Sequence, residues 1–197
     1  MQQRVLTYAD LWRPSSKESA IVYDVMLVMA GSWALALFAQ IAIPLPHTPV
    51  PITGQSFAVL MLGVLLGSRK GAASVMAYLA QGACGLPFFA GGKAGLAILS
   101  GVTAGYFAGF VAAAYVAGWL AEKGADRNVF TSVLAMLVGT AVIFAFGLSW
   151  LSFILPAGSV LALGLYPFLP GALIKLVAAA VLLPAGWAFL GKTHSHK

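Results

Sequence analysis

Apart from Asp24 and Lys175, charge in this chain is confined to the two ends and a few short breaks, and between those breaks lie long apolar runs. The runs are 21–43, 55–67, 71–86, 96–121, 129–154 and 172–191. The first, IVYDVMLVMAGSWALALFAQIAI, contains Asp24 as its only charge, so it has no polar face to turn toward water. A helix that crosses a bilayer needs about 20 such residues. Only 8% of the chain is charged and 61% is hydrophobic, whereas a soluble domain is roughly a quarter charged. These features exclude a soluble globular enzyme, a disordered chain and a disulfide-stapled secreted domain. They predict an all-α membrane protein with six transmembrane helices embedded in the lipid bilayer. The organisation expected is a polar segment at 1–20, one membrane unit at 21–191 and a tail at 192–197. The opening residues lack the apolar core of a signal peptide, so the first run is expected to persist as a helix. Cys84 is the single cysteine and cannot form an internal disulfide.

The breaks orient the chain. Six spans put both termini on one side, and cytoplasmic loops carry the excess of Lys and Arg. With cytoplasmic termini, that side holds Arg4, Arg13, Lys17, Arg69, Lys70, Lys123, Arg127, Lys192 and Lys197, nine of the 11 cations. The opposite side has Lys93 alone, while Lys175 falls within the last run. The cations are scattered between apolar runs and form no basic face for nucleic acid. The outer connections are then 44–54, 87–95 and 155–171, all rich in Pro and Gly. Four prolines keep the first of them from being helical. Irregular backbone at membrane depth is tolerated where it lines a cavity, so three such loops on one face predict a pocket opening outward. The run at 55–67 spans only ~20 Å as a helix, so it must tilt against protein, begin within the proline loop or cross part of the bilayer.

Small residues recur every four positions at Gly63, Gly67 and Gly71, and at Gly101, Gly105 and Gly109, continuing through Ala113, Ala117 and Ala121. Such a face lets another backbone approach closely, and close packing within the bundle is expected. Ala30 and Ala34 form a similar pair in the first run, where spacing alone leaves internal packing and an external partner both open. Beyond Asp24 the acidic residues are Glu122 and Asp126, both in the expected cytoplasmic loop. Proton- or sodium-coupled transporters usually keep a carboxylate within the membrane, and 197 residues are few for two repeats rocking about a central site. Unaided active transport is therefore not expected. The string GWAFLGKT at 186–193 matches a phosphate-loop pattern, but that motif works only between a strand and a helix N-terminus. Here it ends an apolar run. His194 and His196 have no apparent third metal ligand, and no catalytic triad or carboxylate pair is present, so no enzyme activity is expected.

Two lysines remain. A charge within an apolar run costs on the order of 3 kcal/mol or more, so Lys175 either snorkels to the outer interface or faces a cavity and pairs with an anionic ligand group. Lys93 follows two glycines and is either a solvated loop cation or a ligand contact. If both meet ligand, the substrate bears a carboxylate or another anion.

The string PVPITGQSFAVLMLGVLLGSRKGAASVMAYLAQGACGLPFFAGGKAG, Pro49 to Gly95, resembles the BioY family, the biotin-binding S-components of energy-coupling factor (ECF) transporters. VTAGYFAGF at 102–110 and YPFLPGALIK at 166–175 resemble two further signatures of that family in the same order. The resemblance covers about residues 20–190. It implies an ECF S-component-like fold of six helices, in a bacterial inner or plasma membrane, that binds biotin near its outer face and needs no cofactor. It also implies partners: a transmembrane coupling protein and two cytoplasmic ATPases that hydrolyse ATP. Ala30 and Ala34 resemble the small-residue pattern by which such components meet the coupling protein. The family usually reads PTGGY where this chain has Val102, Thr103, Ala104, Gly105 and Tyr106, and an aspartate where Ala172 stands. Lys175 therefore lacks its usual i, i+3 acidic neighbour.

Biotin presents a ureido ring with two donors and one acceptor, which the amide of Gln55 matches in kind. Apolar and aromatic walls are expected from Phe57, Phe88, Tyr106 and Trp150, although plain packing explains Phe57 and Phe88 equally well. A cation for the carboxylate is expected from Lys175 or Lys93. An S-component for another carboxylated vitamin, or a stand-alone facilitator or channel for small solutes, would share the composition and topology.

Overall fold

In the computed structural model, residues 7–46 and 48–194 are described, apart from the side chains of Ala157 and of 190–194. Arg4, the side chain of Lys192, and the tail histidines and lysine lie outside what is described. Among the described residues the polypeptide is mostly helical, with one short hairpin. Helix α1 spans Lys17–Gln40, α2 Gln55–Leu66, α3 Ser68–Ala83, α4 Leu96–Leu99, α5 Ala104–Ala121, α6 Val129–Leu151, α7 Val160–Gly164 and α8 Leu169–His194. The proline loop closes as an antiparallel pair, β1 Ala42–Ile43 with β2 Ile52–Thr53, in which Ala42 faces Thr53 and Ile43 faces Ile52.

The polar signals at the run boundaries become caps. Ser16 begins α1 and accepts the Ser19 amide, and Asn128 begins α6 and accepts the Thr131 amide at 2.9 Å, satisfying donors that a helix start leaves free. Helix α1 thus starts at Lys17, a turn before the apolar run. Helix α8 starts at Leu169, with Pro170 in its first turn, where a missing N–H costs nothing.

Four stretches are long and apolar enough to cross a membrane: Lys17–Gln40, Ala104–Ala121, Val129–Leu151 and Val160–Phe189, the last spanning α7 and α8. Helix α2, with 12 residues, and α3, with 16, are shorter, reaching about 18 and 24 Å. The expected continuous run at 96–121 is interrupted. Residues 100–103 are irregular, so α4 and α5 are separate elements. At the break the Gly101 carbonyl accepts both the Ala104 amide at 3.1 Å and the Trp150 indole N–H at 3.0 Å.

Much of the glycine and alanine series packs helices against one another, whereas Gly67 ends α2 and Gly101 lies in the break before α5. A side chain at Gly63 would collide with the Ala114 backbone of α5, one at Gly71 with the Gly63 backbone, and one at Gly109 with the Ile143 backbone of α6. Ala113, Ala114 and Ala117 are fully buried along the same seam. Close backbone approach of this kind is how helices associate where apolar lipid provides no drive to exclude them.

The end that carries the α5–α6 loop is charged and tightly paired. Thr7 bonds Asp10 through its amide and hydroxyl, at 3.0 and 2.8 Å. Lys70 reaches Asp10 at 3.3 Å and Asp24 at 3.5 Å, and Arg13 holds Asp24 at 2.7 Å. Although burial disfavours its charge, the Thr7 bonds and Lys70 keep the Asp10 carboxyl below its ordinary pKa. The polar N-terminal segment is thus folded onto the bundle. The Tyr8 hydroxyl donates to the Leu183 carbonyl at 2.5 Å, and its ring lies 4.2 Å from that of Trp187. Trp187 donates to Asp126 at 2.5 Å while Arg127 covers the Trp187 ring.

Candidate ligand-binding site

The opposite end of the bundle holds a cavity of about 240 Å³. Each of the three Pro- and Gly-rich connections reaches it: Pro49–Thr53 from the first, Phe89, Ala90 and Lys93 from the second, and Phe168 from the third. Helix α5 supplies Tyr106, Phe107 and Phe110, with Thr103 one step before it, a stripe at helical i, i+3, i+4, i+7 spacing. Helix α6 adds Met136, Thr140 and Phe144, spaced by four. The walls are thus mostly aromatic and aliphatic, with a few convergent polar groups, the usual composition of a small-molecule site.

Those polar groups come from α2, α8 and the loops. Gln55 opens α2, is 4% exposed, and lies on the wall. Its Nε2 donates to the Tyr78 hydroxyl at 2.6 Å and its Oε1 accepts the Thr53 hydroxyl at 3.0 Å. Lys175, in the second turn of α8, does not run out to the interface. Its Nζ donates to the Thr53 carbonyl at 2.5 Å and to the Ser56 hydroxyl at 2.9 Å. An ammonium has three hydrogens, so one remains for a ligand. Lys93 is exposed at the cavity. No Asp or Glu is among the described lining residues, so the cavity carries two cationic side chains without a counter-charge from its own wall.

The loop that carries Lys93 is held from both sides. Phe89 and Lys93 form an isolated bridge, with the Phe89 amide donating to the Lys93 carbonyl at 3.0 Å. Gly91 and Gly92 turn between them with φ of 71° and 69°, a region that residues with a Cβ seldom enter. The Gln40 side chain accepts the Gly92 amide at 3.0 Å, and the Gly95 amide donates to the Gly82 carbonyl at 2.8 Å. The Phe89 ring fills the notch at Gly82, where any Cβ would strike it.

Of the residues expected from sequence, Gln55, Lys93, Tyr106 and Lys175 line one cavity, together with Phe57. Two lie elsewhere. Phe88 stacks on Tyr78, with ring centroids 6.3 Å apart, and meets Trp33 edge-on, outside the cavity wall. Trp150 is committed to the Gly101 carbonyl and packs against Gly105. Tyr106 lines the cavity with its ring while its hydroxyl donates to the Gly164 carbonyl at 2.8 Å. Sequence reasoning missed Thr53, Ser56, Phe89, Thr140 and Phe144. Thr140 carried a signal, a hydroxyl within an apolar helix, with Met136 and Phe144 one helical step on either side. Ala30 is exposed and Ala34 half-buried on α1, beside exposed Met26, Trp33 and Leu37.

Known proteins resemble this chain along most of its length. A biotin transporter BioY from Rhizobium etli is 39% identical over 167 residues, covering 79% of this chain and 89% of that protein. One from Thermotoga maritima is 37% identical over 158 residues, covering 79% and 92%. Among solved structures, the S-component for biotin from an ECF-type ABC transporter superposes with a TM-score of 0.76 at 28% identity, covering 87% of this chain and 94% of that one. Residues 9–192 match the BioY family, and with identities of this order over most of both proteins, the chain belongs to that family.

Proposed function

We propose that this protein is the biotin-capture subunit, the S-component, of an ATP-driven ECF-type vitamin importer. The observation that carries the reading is the cavity itself. It combines aromatic walls for a fused ring, an oriented carboxamide at Gln55 for a cyclic urea, and ammonium groups at Lys175 and Lys93 for a carboxylate. A ligand lacking those polar groups would leave buried donors and acceptors unpaired, which costs about 1–3 kcal/mol each and would give selectivity.

The wider arrangement follows from that role. We infer six membrane crossings, with α2 and α3 crossing as shorter, protein-packed helices and both termini cytoplasmic. The lysine and arginine distribution supports this orientation, as does the position of the cavity at the end away from the paired charges. The membrane is taken to be the bacterial inner or plasma membrane. A transmembrane coupling protein and two ATPases would supply the energy, and the phosphate-loop-like string at 186–193 lies within α8, not between a strand and a helix N-terminus. The face of α1 bearing Ala30 and Ala34 would meet the coupling protein. Biotin is the transported ligand and no cofactor is required. Titration of the purified protein with biotin tests the central claim: submicromolar binding is expected, and no binding below micromolar concentrations would overturn it.

A further inference from the structure

Tyr78 of α3 is fully buried and does not line the cavity, yet it sits in a directed chain of hydrogen bonds that ends there. The Thr53 hydroxyl donates to Gln55 Oε1 at 3.0 Å, Gln55 Nε2 donates to the Tyr78 hydroxyl at 2.6 Å, and the Tyr78 hydroxyl donates to the Phe88 carbonyl at 3.3 Å. The far end sets the sense of the chain. A backbone carbonyl only accepts, so the single Tyr78 hydrogen is used on Phe88, and Tyr78 must meet Gln55 as an acceptor. Turning the carboxamide over would draw that hydrogen back to Oε1 and leave the Phe88 carbonyl with its Gln40 bond alone. It would also take away the acceptor that the Thr53 hydroxyl hydrogen now has in Oε1, while that hydroxyl already accepts the Gln55 backbone amide. Thr53 and Tyr78 each use one valence of the amide, which leaves one N–H on Nε2 and one lone pair on Oε1. One donor and one acceptor thus remain on the same amide, the two kinds of group that a cyclic urea presents with its N–H and C=O.

We propose that Tyr78 is a specificity-positioning residue. By holding the Gln55 carboxamide in one of its two orientations, it aims the free N–H at the ring carbonyl of the ligand and the free lone pair at a ring N–H. The inference rests on the cavity being a biotin site. The test compares binding of biotin with that of 2-thiobiotin, whose ring carbonyl oxygen is replaced by sulfur, a weaker acceptor.

The intact protein should prefer biotin. Tyr78→Phe should weaken biotin about 10-fold, the scale of one neutral hydrogen bond, while weakening 2-thiobiotin less, so the ratio between the ligands shrinks. The double variant Gln55→Ala/Tyr78→Phe should lose no more biotin affinity than Gln55→Ala alone, because both act through one interaction. A purely structural Tyr78 would weaken both ligands equally and its loss would add to that of Gln55→Ala; either result overturns the inference. Should Tyr78→Phe fail to fold, Thr53→Val removes the other anchor of the same amide from the hairpin. It should shrink the ratio in the same direction, and an unchanged ratio would overturn the inference. Failure of the unaltered protein to bind biotin would instead remove the biotin reading on which the proposal stands.

Discussion

Replacing Lys175 with alanine separates ligand electrostatics from packing, and the structure bounds the size of the effect. The Lys175 ammonium already spends two hydrogens on the Thr53 carbonyl and the Ser56 hydroxyl, so a single hydrogen remains for a ligand. The gain from the ligand is therefore one charge-assisted hydrogen bond, worth about 1.5–3 kcal/mol. At about 1.4 kcal/mol per decade, Lys175→Ala should weaken biotin roughly 10- to 150-fold. Biotin amide offers the ammonium a neutral acceptor and no opposite charge, so its loss should fall at the low end of that range or below, about 10-fold or less. Isothermal titration of both ligands against the unaltered and substituted protein reads the difference directly. Thermal unfolding of the unliganded proteins shows whether the lost ties to Thr53 and Ser56 have loosened the fold. Equal losses for the acid and the amide would refute the carboxylate contact and leave Lys175 as a pin between α8 and the hairpin.

Two further predictions concern other surfaces. Asp126 is 2% exposed, its Oδ2 accepts the Trp187 N–H, and its Oδ1 has no hydrogen-bond partner among the described residues. Burial raises its pKa, outweighing the opposing Trp187 bond and Arg127. The folded state therefore holds this proton more tightly than the unfolded chain, and the penalty grows as pH rises through the folded-state value. Asp126→Asn should unfold at a higher temperature than the unaltered protein at pH 7–8, with the gap closing toward pH 4; a constant gap in melting scans would count against a charge penalty. Ala30→Phe and Ala34→Phe should leave biotin binding by the isolated protein intact while reducing biotin uptake by cells that contain the ATPase partners. Loss of binding as well would mean that these alanines pack within the bundle.

Hydropathy exposed the parts of the fold whose boundaries coincide with polarity. Helix α6 begins at an Asn cap after the charged loop, and α1 ends beside the proline loop, so both were legible. The interruption between α4 and α5 was not, because Gly101, Val102 and Thr103 lie within an otherwise apolar run and add no charge to it. The break has a tertiary partner as well as local ones: the Trp150 indole, on a different helix, donates to the Gly101 carbonyl, which also takes the Ala104 amide. Helix α3 shows the converse. Ser68, Arg69, Lys70, Ser74 and Gln81 lower its apolarity, yet Ser74 bonds the Lys70 carbonyl and Gln81 bonds Ser32 across the α1 contact. Apart from exposed Arg69, much of its polarity is satisfied inside the bundle, so hydropathy alone understates its place there.

The same distinction governs the site. Gln55, Lys93 and Lys175 stood out because a polar group in an apolar chain has few places where its bonds can be met. Aromatic residues had no such constraint, since any buried surface satisfies them. Phe88 and Phe89 are neighbours, yet Phe89 enters the Gly82 notch and the cavity wall while Phe88 stacks on Tyr78 outside it. Tertiary features separate the two: the Phe89–Lys93 bridge closed by Gly91 and Gly92, the Gly82 notch, and the Gln40 and Tyr78 bonds to the loop. Thr53 was overlooked for a different reason: both of its roles depend on the hairpin. Its carbonyl holds Lys175 and its hydroxyl holds Gln55, so one residue of β2 anchors the groups assigned to the two polar ends of the ligand. A displacement of that hairpin would therefore disorganise both ends together, while leaving the aromatic stripe of α5 in place.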